Sequence, residues 1–338
     1  MKRFCHIIVS LVLLISLYSC SGNDSVTSQR TGLEAETTET ITIVDTTESG
    51  DEISPLGSVE VGIKDNKASY EFSGEDISIN YEYTAVGSKS FGIIVLCDGI
   101  AVPFSTDKQN DSQKLHILPN NEDGKRNDVT ISFAPIGKSG DKVSVEIVDI
   151  VEPDYNIADI DLDGNIMAFI QGKKYLVNYI SGITVNMLSD GIAQDNKFYT
   201  KAETKPIPQN VIDTSKTIHD DGTVDDQLLN FASEWSVNEK KSLCYKVSQG
   251  EKMSIKIRYN GTEGQDIYTS FYIDNELFPV FGGCEYSVCR TDKLHYSEIT
   301  GTLDTSKLSK GRHICYSVCG NIEYSSTIPT AAFIIEVN

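Results

Sequence analysis

Apolar and polar residues alternate along much of the chain. ISINYEY, residues 77–83, and SIKIRYN, residues 254–260, place every second side chain on one face. That period of two predicts half-buried β-strands. Asp98-Gly99 and Asp274-Asn275 sit between apolar runs, which is the chemistry of a tight hairpin turn. The two patterns belong to a repeat. Residues 74–103 align without gaps to residues 250–279, with 7 of 30 positions identical. The shared residues are Gly74/Gly250, Glu75/Glu251, Ser78/Ser254, Ile79/Ile255, Tyr83/Tyr259, Asp98/Asp274 and Pro103/Pro279. Further on, Lys114-Leu115-His116 echoes Lys293-Leu294-His295. Each copy then ends in apolar strand pairs: VTISFAP and VSVEIVDIV in the first, HICYSVC and AAFIIEVN in the second. Duplication of one small domain is the economical reading.

The expected architecture is all-β: two repeat-related sandwiches, residues 56–153 and 231–338, joined by a connector, residues 154–230. The connector begins with a β-prone stretch broken by glycines, which predicts one or two hairpins, and residues 200–223 read as a loop. Residues 225–235, DDQLLNFASEW, fit either a short amphipathic helix or the first strand of the second copy. The segment LSKGRHICYSVCG, residues 308–320, resembles the L-x-x-G-x-H strand of bacterial immunoglobulin-like domains. The resemblance implies Ig-like sandwiches, although GKRNDVTISFAPIG in the first copy lacks the histidine.

The N-terminus reads differently. Lys2 and Arg3 precede a run of 12 mostly aliphatic residues, Ile7 to Tyr18, too short to span a bilayer of about 30 Å. Leu17-Tyr18-Ser19-Cys20 resembles the lipobox of bacterial lipoproteins. That resemblance implies a signal peptide over residues 1–19 and acylation of Cys20, hence an extracytoplasmic protein held to the bacterial membrane by lipid. Residues 20–55 are then a stalk. Residues 21–55 hold 13 Ser or Thr, eight acids and one base, Arg30, so they have little to bury and are expected to stay extended and disordered. Ile41-Thr42-Ile43-Val44 is their one apolar cluster.

Charge narrows the partners. The chain carries 29 Lys+Arg against 49 Asp+Glu, a net charge of −20, or −22 once Lys2 and Arg3 leave with the leader. No basic patch is available to neutralise phosphates, so nucleic acid is excluded as a partner class. An extracellular protein or a neutral glycan fits better.

Candidate chemistry is sparse. Asp159, Asp161, Asp163 and Asn165 lie in DIDLDGN, with oxygens at alternate positions around a glycine. This resembles the start of EF-hand-like and dockerin calcium loops, and implies a structural calcium ion. The acidic position that closes such loops is Ile170, so a solvated Asp-Gly turn is the first reading of the segment and calcium the second. Cys244, Cys284, Cys289, Cys315 and Cys319 crowd the second copy, while the first has only Cys97. Outside the cytoplasm they are disulfide candidates; free thiols, or a metal held with His313, are the alternatives. No HExxH, GxSxG, P-loop or GxGxxG motif is present. The expectation is a non-enzymatic surface lipoprotein that binds a partner. The competing readings are a carbohydrate-binding accessory, marked by exposed aromatics on a sheet face, and a cell-envelope glycoside hydrolase, marked by paired carboxylates in a cleft.

Overall fold

The computed structural model describes residues 58–65, 67–120, 124–151, 153–154, 157, 177–193, 199–201, 203–214, 216–218, 224–226, 232–240, 242–260, 266–290, 294–320 and 332–338. The leader, Cys20, the stalk and the Asp159–Asn165 motif lie outside the described residues.

The first sandwich is built from ten strands: β1 (Ser58–Ile63), β2 (Ser69–Phe72), β3 (Ile77–Val86), β4 (Ser90–Cys97), β5 (Ile100–Val102), β6 (Phe104–Thr106), β7 (His116–Pro119), β8 (Arg126–Phe133), β9 (Lys142–Val151) and β10 (Val177–Met187). Sheet I has the order β1-β3-β8-β6. Sheet II has the order β2-β10-β9-β4-β5, with β7 also paired to β4. β3 alternates buried and outward residues as its sequence demands: Ile77, Ile79, Tyr81 and Tyr83 point inward, and Ser78 and Asn80 point out.

In the second part of the chain, β11 (Tyr199–Lys201) and β12 (Glu203–Pro206) precede a short helix, α1 (Gln209–Thr214), and the pair β13 (Lys216–Ile218) and β14 (Val224–Asp226). The second sandwich follows with β15 (Ala232–Val237), β16 (Cys244–Val247), β17 (Lys252–Asn260), β18 (Asp266–Ile273), β19 (Glu276–Leu277), β20 (Tyr286–Arg290), β21 (His295–Asp304), β22 (Gly311–Gly320) and β23 (Phe333–Val337). Sheet III runs β11-β20-β18-β22-β23-β16, with β19 on β18, and sheet IV runs β12-β21-β17-β15.

The protein is all-β, and its two sandwiches share seven strands in the same order. β1-β3-β8 corresponds to β15-β17-β21, and β2-β10-β9-β4 to β16-β23-β22-β18. Each inner sheet carries a parallel pair at the same place, β2 with β10 and β16 with β23, and sheet III has a second, β11 with β20. The paired turns also match: Asp98 and Gly99 have φ of 47° and 80°, and Asp274 and Asn275 have 49° and 70°. Both central residues are left-handed, as a type I′ hairpin requires.

Three expectations about the repeat change. The connector is not a separate element. β10, drawn from it, completes sheet II, while β11 and β12 join sheets III and IV. The Ser181-Gly182 break is a bulge within one long strand rather than a hairpin, since the β10–β9 register shifts between Ile180 and Ile183. The terminal strand pairs also correspond differently. HICYSVC lies in β22 and matches VSVEIVDIV in β9, and AAFIIEVN supplies β23, the counterpart of β10. Residues 232–237 form a strand, which decides between the two readings of DDQLLNFASEW for its described part.

Every residue of β4 is buried, on both faces. Phe91, Ile93, Val95 and Cys97 fill the first sandwich. Ile94 and Leu96 point the other way and, with Ala101, Val148 and Ile150, join one continuous core with the second sandwich. The opposing surface includes Tyr272 and Tyr316, stacked at 5.2 Å between ring centroids. Sheets II and III therefore pack face to face, and the four sheets form one stack, I-II-III-IV. This explains why β4 reads as a nearly unbroken apolar run rather than an alternating one.

Candidate binding groove where the two copies meet

At the junction the backbones come close. Ideal Cβ geometry at Gly320 places the added carbon 2.4 Å from Gly99 Cα, so only glycine fits where the Asp98-Gly99 turn meets the end of β22. Polar clasps surround this contact. The Ala101 amide donates to the Tyr286 hydroxyl at 3.2 Å. Lys114 Nζ lies 2.9 Å from Glu285 Oε2. Asn275 Nδ2 donates to the Pro153 carbonyl at 2.6 Å, while its Oδ1 accepts from the Tyr316 hydroxyl at 3.0 Å. The copies are thereby fixed relative to one another by apolar burial and by directional bonds.

One consequence is a composite groove of about 460 Å³. The first copy supplies Gln109, Asp111, Gln113, Leu115 and Ile117, from the β6–β7 connection and β7; the second supplies Asp274, Asn275 and Glu276, from the β18–β19 turn. The β6–β7 loop is held by His116, which is buried. Its Nδ1 is 2.7 Å from Gln109 Oε1 and its Nε2 is 2.7 Å from the Phe104 carbonyl. Gln109 Nε2 donates to the Ile117 carbonyl at 3.0 Å. On the other wall, Asp274 accepts from the Ile314 amide at 3.0 Å and contacts His313 Nδ1 at 2.6 Å; His313 Nε2 reaches the Ser309 carbonyl at 2.9 Å. The histidine of the L-x-x-G-x-H segment is thus a clasp on the hairpin turn. Its counterpart on β9 is Val143, because Ser144 meets Asp98 as Ile314 meets Asp274. The groove's exposed carboxylates are those of Asp274, Glu276 and Asp111, the last of which accepts from Gln113 Nε2.

His116 and His295 are not repeat mates. His116 lies on β7 opposite Ile93, whereas His295 begins β21 opposite Pro206. The three-residue echo is a coincidence of sequence. Among the described residues, no group of three or more His, Cys, Asp and Glu side chains is arranged to hold a metal ion.

Among the described residues, Cys97, Cys244, Cys284, Cys289, Cys315 and Cys319 form no disulfide. The candidates Cys289 and Cys319 lie on strands to either side of β18, opposite Ile267 and Thr269. Cys244 and Cys315 likewise flank β23, opposite Ile334 and Phe333. Two strand spacings, roughly 9–10 Å, exceed the reach of a disulfide, about 7 Å between Cα atoms. Cys284 sits in the Phe281–Cys284 turn. Burial pushes the Cys97 thiol up to about 12 and Cys319 up to about 11, and raises Cys289 and Cys315 as well. Such thiols are held protonated, as packing groups rather than nucleophiles.

Each sandwich interior sets a core tyrosine against a polar group at an equivalent place, and in the second copy the Tyr259 hydroxyl also accepts from Thr269 Oγ1 at 3.0 Å. Asp149 lies opposite Ile93 on β4, and Cys319 opposite Thr269 on β18, the matching residue of the repeat. In the first copy Tyr81 donates to Asp149 Oδ1 at 2.5 Å; in the second, Cys319 Sγ and the Tyr259 hydroxyl are 3.2 Å apart. Asp149 is fully buried, its Oδ2 has no hydrogen-bond partner among the described residues, and burial drives its pKa well above the ordinary carboxylate value. A neutral carboxyl is the form this core accommodates. It lies in packed interior, away from the groove.

The outward face of sheet I presents Ser78, Asn80, Asp128, Thr130 and Ser132, linked by side-chain hydrogen bonds such as Thr130 to Asn80 at 3.2 Å. On sheet IV, Glu298 is almost buried among Lys205, Lys256 and Arg258. Burial would raise its pKa, but hydrogen bonds from Lys205 and Arg258 outweigh that and hold it low. Arg258 also covers the Tyr296 ring at 5.1 Å. The described faces of sheets I and IV thus carry polar ladders and ion pairs, with Tyr296 engaged by Arg258.

No protein-family model matches the chain, and no curated protein matches it. Among solved structures it is similar to the fibronectin(III)-like modules of Clostridium thermocellum CbhA, at 11% identity over 82% of this chain and 94% of that one, with a TM-score of 0.22. It is similar to CBD12 from CALX1.2, at 8% identity over 82% of this chain and 99% of that one, with a TM-score of 0.21. It is also similar to the sialic acid binding region of a Streptococcus sanguinis SK1 adhesin, at 12% identity over 84% of this chain and 78% of that one, with a TM-score of 0.21.

Proposed function

We propose that the protein is a non-enzymatic binding module of the bacterial cell surface, anchored through lipid on Cys20, that holds an extracellular protein or neutral glycan. The observation that carries this reading is the composite groove: a shared core fixes two sandwiches so that loops from both line one open site. Loops carried on a rigid β scaffold are the usual place for recognition. The groove's exposed carboxylates and the overall negative charge favour a partner offering cations or hydroxyls over an anionic polymer.

The test uses the full mature chain, immobilised and challenged with cell-surface proteins and a panel of neutral glycans. Capture that is lost in Asp111→Lys/Glu276→Lys, with the melting temperature unchanged, supports the groove. Equal capture by that variant overturns it. Hydrolysis of a glycan that vanishes on changing one carboxylate overturns the non-enzymatic reading. Cys20→Ala tests the anchor separately: the variant is expected to lack lipid and leave the membrane fraction, and an unchanged membrane-bound variant refutes lipidation there.

A further inference from the structure

The contacts between the two copies are reciprocal, as in an isologous dimer. The hairpin from β4 to β5, which turns on Asp98 and Gly99, meets β20 and the end of β22. The matching hairpin from β18 to β19, which turns on Asp274 and Asn275, faces β7 across the composite groove. Strand register fixes which residues correspond. β7 pairs with β4 as β20 pairs with β18, so His116 opposite Ile93 matches Ser287 opposite Thr269. Leu115 is therefore the counterpart of Tyr286, Ile117 of Val288, and Gly92 of Tyr268.

One of the two equivalent places is filled and the other is open. Tyr286 is buried, and its hydroxyl reaches across to the first copy to accept from the Ala101 amide at 3.2 Å. Tyr268 packs against Gly99 beside it. At the opposite place the chain has Leu115 and Gly92, so both rings and the hydroxyl are missing. Leu115 and Ile117 stay half-buried there and form an apolar wall of the groove. The counterpart of Ala101 is Leu277, next to the groove residue Glu276. Alternate residues of an antiparallel hairpin bond across it. Phe278 donates back to β18, so the Leu277 amide points off the free edge of β19, and it has no acceptor among the described residues.

We propose, resting on the reading of this groove as the binding site, that it takes a tyrosine side chain of a partner protein. The ring lies against Leu115 and Ile117, and the hydroxyl accepts from the Leu277 amide, as the Tyr286 hydroxyl accepts from Ala101 at the filled place. A tyrosine matches such a slot because it buries a large apolar ring and needs one polar contact at its tip. Aromatic anchors of this kind carry much of the energy of protein–protein contacts. The exposed carboxylates of Asp111 and Glu276 favour basic residues beside that tyrosine.

Acetyl-Lys-Tyr-Lys-amide and its phenylalanine analogue, each titrated into the full mature chain with Cys20→Ser to keep it in solution, test this. The tyrosine peptide is expected to bind about tenfold tighter, the order that one hydrogen bond supplies. It should also shift the Leu277 amide resonance and leave that of Ala101 in place. Leu115→Tyr supplies the missing ring from within, so it is expected to abolish peptide binding with the melting temperature unchanged or raised. Equal affinity for the two peptides, or full binding by folded Leu115→Tyr, overturns the proposal; the peptide comparison decides even where that variant does not fold. Failure of both peptides to bind at millimolar concentration overturns it too. If Asp111→Lys/Glu276→Lys still abolishes capture of a glycan or another protein, the groove stands and only its tyrosine occupant falls, whereas capture unaffected by that variant removes both.

Discussion

Gly320→Ala is the sharpest probe of the junction. The new methyl would lie 2.4 Å from Gly99 Cα and 2.6 Å from its carbonyl oxygen, against an ordinary contact distance that begins near 3.4 Å. Both obstacles are backbone, so no side chain can swing aside. The Asp98-Gly99 turn and the end of β22 must therefore separate by about an ångström. A gap of that size forfeits a quarter to a half of the dispersion energy of the contacts it opens. Those contacts include Ile94, Leu96, Ala101, Val148 and Ile150 against the tyrosine-rich face of the second copy. Overpacking in a close-packed site costs about 1–3 kcal/mol, and each kcal/mol lowers the melting temperature of a chain this size by about 2–4 °C. Gly62→Ala is the control, because its methyl meets only the Glu82 side chain, at 3.3 Å. Calorimetry should show one transition in the unmodified protein, a clear loss in Gly320→Ala and little change in Gly62→Ala. Equal melting of the two variants, or two separate transitions in the unmodified chain, would refute the shared core.

Asp149 should make the fold less stable as pH rises. Its folded pKa is raised, so its contribution is full below the unfolded value near 3.9 and is lost up through the folded value, at no more than about 1.4 kcal/mol per pH unit. The stability difference between the unmodified protein and Asp149→Asn should shrink with that slope across the window; a pH-independent difference would be evidence against a protonated carboxyl. The thiols give a second check. A thiol reagent should label the partly exposed Cys244 and Cys284 in the native protein, and Cys97, Cys289, Cys315 and Cys319 only after unfolding; fewer than six mature-domain thiols in denaturant would reveal a disulfide. If Asp159, Asp161, Asp163 and Asn165 hold calcium, the ion at a hundredfold excess over its dissociation constant should add about 2.7 kcal/mol to stability. No change in melting at millimolar calcium leaves that segment as a solvated acidic turn.

Much of the fold was legible because strands announce themselves by period. ISINYEY and SIKIRYN gave β3 and β17, and the two Asp turns gave the hairpins of both copies. What stayed hidden depends on contacts distant in sequence. β10 reads as a β-prone stretch of connector, and nothing local says that it inserts between β2 and β9. The groove residues Gln109, Asp111 and Gln113 look like ordinary loop positions, and only the packing of sheet II on sheet III brings them beside Glu276. One signal was available. β4 lacks alternation, and a strand apolar on both faces needs a second layer to cover it.

The same reasoning reaches the point where the two copies diverge. Both retain a core tyrosine on the outer-sheet strand and a polar partner on the inner-sheet strand, but the partner is Asp149 in one and Cys319 in the other. A thiol can be buried as a small, weakly polar group, whereas a carboxyl at that depth must stay protonated and find a donor. The first copy supplies the donor from Tyr81, two residues before Tyr83, the sequence counterpart of Tyr259. Changing the buried partner therefore went together with changing which tyrosine meets it. That pairing is a property of the assembled sandwich: each residue alone looks unremarkable, and the sheet register makes them neighbours.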